Sequence, residues 1–235
     1  MKLASILPVK NIKHTFDGDY AMLLAHLKDY YPENTNKNCY VIMDNSLIEK
    51  ENAIDIIELY KAAKQCGADE IIIPDVLQDS LGTLMSLLKS YELLKEYTCD
   101  HIDIKLMAVC QGKTLEEFIN CYTFLETCSY ISTIGIPKIA ETLHENGRPG
   151  LEDLWVDSRK NIHLLGCYTS LNEIRNYKYP SRIRSIDTCI PALLSQTSRN
   201  VWATRPDKTI DLIRDEINDL NYHTMMLQLR KERWI

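Results

Sequence analysis

The chain has 235 residues, 45% hydrophobic and 26% charged, with a formal net charge of −6; this is the balance of a folded globular protein and excludes a disordered or fibrous chain. No run approaches the roughly 18 apolar residues that a membrane span requires, and a chain of this length can bury roughly 70% of its unfolded surface in a single core. The charge is uneven: residues 1–158 carry 14 Lys+Arg against 25 Asp+Glu, residues 159–208 carry 9 against 3, and residues 209–235 carry 4 against 5.

The opening segment, MKLASILPVK, has an apolar run too short for a secretory leader and no small-residue cleavage site after it. It reads as a first strand over 2–7. A second apolar run, YVIMD (40–44), ends on Asp44 and is followed by Asn45 and Ser46. The segment 52–67 then has a helical period and closes on Gly67, a favoured C-terminal residue. EIIIPD (70–75) is the next strand, and a helix starts at the Asp79-Ser80 cap. IKLMAVCQ (104–111) precedes a helix over 114–128, whose Thr114 and Glu117 form a capping-box pattern. YISTIGI (130–136), IHLLGC (162–167) and IRSIDT (183–188) are further strands, VWA (201–203) is a weaker eighth, and the tail from about 207 to 233 reads as helix.

Strands that are apolar on both faces and alternate with amphipathic helices need a parallel sheet covered by helices. Eight units in 235 residues fit an α/β fold of the (β/α)8 TIM-barrel type, a single domain over 1–235. An open doubly wound sheet would carry a Gly-rich first turn, and neither GxGxxG nor GxxxxGK[ST] occurs. The eight cysteines form no CxxC pair and no Cys/His cluster at zinc spacing, and the six histidines are dispersed. Reduced thiols in a cytoplasmic protein, with no metal and no cofactor, are therefore expected. His163, inside a strand, reads as a satisfied core residue.

In such a barrel, function gathers at the C-terminal strand ends. Those ends carry Asp44, Asp75, Gln111-Gly112, Gly135, Gly166 and Asp187. A lone acid at a strand end is usually a cap, but three at equivalent positions point to chemistry. Paired carboxylates break glycosidic bonds, one attacking the anomeric carbon and the other managing the proton on the leaving group. A third acid, an amide and glycine backbone suit the edge of a flat heterocycle.

In order along the chain, IMDNS, IIIPDVLQD, MAVCQGK, STIGIPK, HLLGC and RSIDTCIPALL resemble the signature segments of the tRNA-guanine transglycosylase superfamily, over about residues 40–195. The resemblance implies a (β/α)8 barrel that exchanges guanine for a 7-deazaguanine. It makes Asp187 the nucleophile and Asp44 the acid/base. It assigns Asp75, Gln111, Gly112, Gly135, Gly166 and Asn45 to holding the base. The chain departs from the family at Ile48, near where a stacking aromatic is expected, and it lacks the CxCxxC-and-His zinc site and the insertions of the tRNA-modifying members.

It is most similar to the zinc-free 7-deazaguanine DNA transglycosylases of phages and bacteria. Expected partners are therefore DNA, with tRNA as the alternative, and a base such as 7-cyano-7-deazaguanine; location is cytoplasmic, in the host if the protein is viral, and a homodimer is left open. Arg182, Arg184, Arg199 and Lys138, in or near the basic block, are the expected phosphate contacts. A small-molecule lyase or glycosidase, with Lys138 as Schiff-base candidate, and a non-catalytic binding subunit are the rival readings.

Overall fold

The computed structural model describes residues 1–33, 38–167, 170–203 and 206–232. Eight parallel strands close into a barrel in chain order: β1 (Lys2–Ser5), β2 (Tyr20–Leu24), β3 (Tyr40–Asp44), β4 (Glu70–Ile72), β5 (Lys105–Val109), β6 (Thr133–Pro137), β7 (Asn161–Leu165) and β8 (Ile183–Thr188). Pairing of β1 with β8, from Lys2 opposite Ser185 to Ser5 opposite Thr188, shuts the ring. Closure removes the unpaired edges that an open sheet would expose.

This is the (β/α)8 barrel expected, with one strand exchanged. YAMLL (20–24) was not expected as a strand, because Ala, Met and Leu favour helix and none of the five residues is β-branched. Its conformation is imposed by pairing with β1 on one side and β3 on the other. Val201–Ala203, expected as the eighth strand, is instead a turn: the side chain of Asn200 accepts the Trp202 N–H and its carbonyl accepts that of Ala203.

The connections are unequal. Helices α1 (Leu47–Lys50) and α2 (Ile56–Cys66) join β3 to β4, α3 (Ser80–Thr98) joins β4 to β5, and α4 (Leu115–Thr127) joins β5 to β6. The other crossovers use short 3₁₀ segments, among them Val9–His14 and Arg148–Leu154. Local chemistry fixes the ends of the long helices. Asp55 and Asp79 cap α2 and α3 by accepting the N–H groups of Ile57 and Gly82. Thr114 and Glu117 form the reciprocal capping box of α4, and Gly67 ends α2 in the left-handed conformation, at φ 65°. After β8 come α5 (Ile190–Ser195) and α6 (Asp219–Lys231). The tail helix thus begins twelve residues later than expected, because Asp211 turns the chain by accepting the N–H groups of Ile213 and Arg214.

The barrel interior has two halves. Ala4, Met22, Ile42, Ile72, Met107 and Val109, from β1 to β5, pack together as an apolar cluster. Opposite them, Thr133, His163, Ser185 and Asp187 of β6 to β8 are buried polar residues. At the N-terminal end Glu70, fully buried, pairs with Arg184 at 2.7 Å, and the Arg184 guanidinium lies 5.5 and 5.2 Å from the rings of Tyr20 and Tyr40. These groups form a floor. Arg184 reaches it because β8 carries a bulge: Ile162 pairs with Ile183 and His163 with Ser185, which leaves Arg184 as the extra residue.

Candidate active site

The C-terminal end of the barrel opens into a cavity of about 460 Å³, within the usual range for small-molecule sites, roughly 300–1,000 Å³. Met22, Ile72, Val109 and Leu165 supply apolar walls, and Asp44, Asp75 and Asp187 all line the same space. Asn45, Gln111, Gly166 and Lys138 line it too. The acids reach it differently. Asp44 and Asp187 belong to β3 and β8, whereas β4 ends at Ile72 and Asp75 stands on the loop beyond it.

Asp187 is held from two sides. Its Oδ1 accepts the Gly166 N–H at 3.0 Å and contacts His163 Nε2 at 3.1 Å; Oδ2 takes no hydrogen bond from the described residues. His163 is fully buried, and its Nδ1 lies 2.7 Å from Ser185 Oγ, which in turn accepts from Arg184 Nε at 3.2 Å. A polar chain therefore runs from the floor pair to the cavity. His163 is a satisfied core residue, as expected, and one of its two bonds goes to a candidate nucleophile.

Gly166 has φ 67°, a conformation that glycine alone adopts without steric cost. Its carbonyl and that of Leu165 accept from Arg148, at 2.8 and 2.7 Å, and Ile136 on β6 accepts a third bond at 3.0 Å. Arg148 is wholly buried and pairs with Glu173 at 2.7 Å. One guanidinium thus ties the ends of β6 and β7 and fixes the peptide that donates to Asp187.

Asp75 lies between two amides, accepting from Asn45 Nδ2 at 2.9 Å and Gln111 Nε2 at 2.7 Å. Gln111 Oε1 also accepts the Gln78 N–H, so both ends of this amide are engaged and Gln111 orients Asp75 rather than standing free for a ligand. Burial raises the Asp75 pKa, and these two amide bonds oppose the shift. Among the described residues, Asp44 accepts only the Ser46 N–H, at 3.0 Å. Its pKa is raised well above the usual carboxylate value by burial and by the charges of Glu49, Asp187 and Asp75.

Two expected base-holding glycines lie off the cavity lining. A side chain on Gly112 would meet the backbone N of Phe118 at 2.5 Å, so this glycine serves the close approach of the β5 exit to α4. Gly135 sits mid-strand beneath Leu165, whose Cδ1 a Cβ there would meet at 2.8 Å. The expected phosphate contacts also scatter. Arg184 is in the floor pair at the opposite end. Arg182 precedes β8 at that same end and donates to the Ser158 carbonyl. Arg199 donates to Asn221 on α6, away from the cavity. Lys138 does reach the cavity but is bound to Glu141 and Glu173 at 2.6 and 2.9 Å. The start of β8 and its bulge thus set Arg182 and Arg184 at the end of the barrel opposite the cavity.

Other lining residues escaped the sequence reading. Glu49 adds a fourth carboxylate at the mouth, its pKa raised by desolvation and by Asp187. The Ser46-to-Glu49 spacing is that of a capping box, but Ser46 Oγ bonds to His26 instead. Thr209, Ile210 and Leu212 fold over the rim, anchored where Leu212 accepts the Val9 N–H at 2.8 Å. Among the described lining residues none is aromatic, so a flat ring would rest on aliphatic side chains. No protein-family model matches the chain, and no curated protein matches it.

Proposed function

We propose that the protein is a retaining transglycosylase that exchanges guanine for a 7-deazaguanine on a deoxynucleotide of DNA. The observation that carries this reading is that Asp187, tethered through Oδ1, and Asp44, with its raised pKa, line one cavity. Asp187, anchored through Oδ1, presents Oδ2 to the anomeric carbon and displaces the base to form a glycosyl ester. Asp44, whose raised pKa keeps a proton available, donates it to the departing base and recovers one from the incoming base. The second attack, from the face opposite the ester, restores the original configuration. Asp75, set by Asn45 and Gln111, accepts hydrogen bonds from the N–H groups on the heterocycle edge.

For DNA the target nucleotide must leave the stack to reach the cavity, at a cost of a few kcal/mol. A second reading, exchange on a free nucleoside, is favoured by Lys138 and Arg184 both being paired with carboxylates. The deciding experiment incubates the protein with labelled guanine and, in parallel, with single-stranded DNA, duplex DNA, tRNA and free deoxyguanosine. Label entering DNA, with a loss on the order of 10³-fold in Asp187→Asn, supports the proposal. Label entering only the free nucleoside supports the second reading. No incorporation into any acceptor, or an Asp187→Asn variant at the parent rate, overturns the assignment.

A further inference from the structure

Outside the barrel, the crossover from β1 to β2 meets helix α6. His14 and Asp17, at and just beyond the end of the Val9–His14 segment, meet Asp219 and His223 of α6. One ligand atom from each of His14, Asp17 and His223 falls within 4.8 Å of the others. His14 is only 8% exposed, and its Nδ1 lies 2.9 Å from Asp17 Oδ2. The His223 ring stands edge-on to it, with centroids 4.8 Å apart. On the far side Nε2 lies 3.3 Å from Asp219 Oδ1 but makes no hydrogen bond.

We propose that His14, Asp17 and His223 form a binding site for a divalent transition-metal ion of the zinc class. The donor set is right in kind: two imidazoles and a carboxylate suit zinc, with a fourth position left to water. A His14 that binds metal through Nδ1 must carry its proton on Nε2, which faces Asp219, so Asp219 becomes the carboxylate that orients the ligand imidazole. Two carboxylates then balance the charge of the ion. Tetrahedral ligation needs donors roughly 3.3 Å apart, a closure that Asp17 and His223, both exposed, can make by side-chain rotation. A simpler account, His14 set between two aspartates, explains those two contacts but gives His223 no role. The sequence alone hid the site, since its imidazoles stand 209 positions apart. The ion would join the first crossover of the barrel to its last helix.

The test uses the full chain stripped with chelator and titrated calorimetrically with zinc chloride. The expected result is one equivalent bound at micromolar affinity or tighter, with an unfolding midpoint raised by about 5–10 °C at hundredfold excess over Kd. His223→Ala and Asp17→Asn should each weaken binding at least about tenfold. Cobalt(II) separates this site from the cysteine thiols: visible d–d bands without thiolate charge-transfer absorption support it. Absence of stoichiometric binding, unchanged affinity in both variants, or a thiolate band overturns it. None of these readouts depends on base exchange.

Discussion

Asp44 is where the demands of folding and of the proposed chemistry diverge. Among the described residues the fold gives this carboxyl one N–H, from Ser46, and surrounds it with apolar walls and the charges of Glu49, Asp187 and Asp75. Because its folded pKa is raised, the native state binds more protons than the unfolded state between the ordinary Asp value, about 3.9, and the folded one. Stability contributed by Asp44 is therefore present at low pH and is lost as pH rises through that window. Asp75 shifts in the same direction. Asp44→Asn keeps an acceptor for Ser46 and removes the charge, so it should stabilise the protein by about 0.5–2 kcal/mol at pH 7 while abolishing base exchange. Thermal melts from pH 4 to 8 should show the gain vanish at the acid end. At this scale the sequence was informative where an acid ended an apolar run, as at Asp44 and Asp187. It was silent on Arg148, which stands in ENGRPG and is fully buried.

Arg148 acts on elements rather than on a ligand. It bonds the carbonyls at the ends of β6 and β7, and Glu173, placed by the Leu171–Asn176 segment, balances its charge. Burial alone would favour a neutral Glu173, yet Arg148 and Lys138 together hold it below the usual carboxylate range. Arg148→Met should cost about 3–5 kcal/mol, because it removes one partner of a buried pair. Arg148→Met with Glu173→Met should recover much of that loss, since Lys138 keeps Glu141. Urea denaturation of the two variants measures both numbers. Helices α2, α3 and α4 were readable from their caps and periods, because those signals act within a few residues. β2 was not, because its conformation comes from two neighbouring strands rather than from YAMLL itself.

For the whole molecule, closure joins residues nearly two hundred positions apart: β1 pairs with β8 along four residues. Contacts of that separation form late and make folding slow. Deleting residues 1–6 should leave β2 and β8 as open edges and promote aggregation, which gel filtration at matched concentration detects. The eightfold alternation that gives the barrel was legible because it follows from burial on both faces of each strand. The scatter of the basic residues was not, because a linear charge count carries no information about which end of a strand a side chain joins. The same closure has a consequence for traffic. With Glu70, Arg184, Tyr20 and Tyr40 packed at the far end, the chamber opens at the C-terminal end of the strands. In the proposed exchange the outgoing ring must vacate before its replacement can enter, so the sugar has to wait on Asp187 in the interval, and the longevity of that ester becomes a property the chamber must protect.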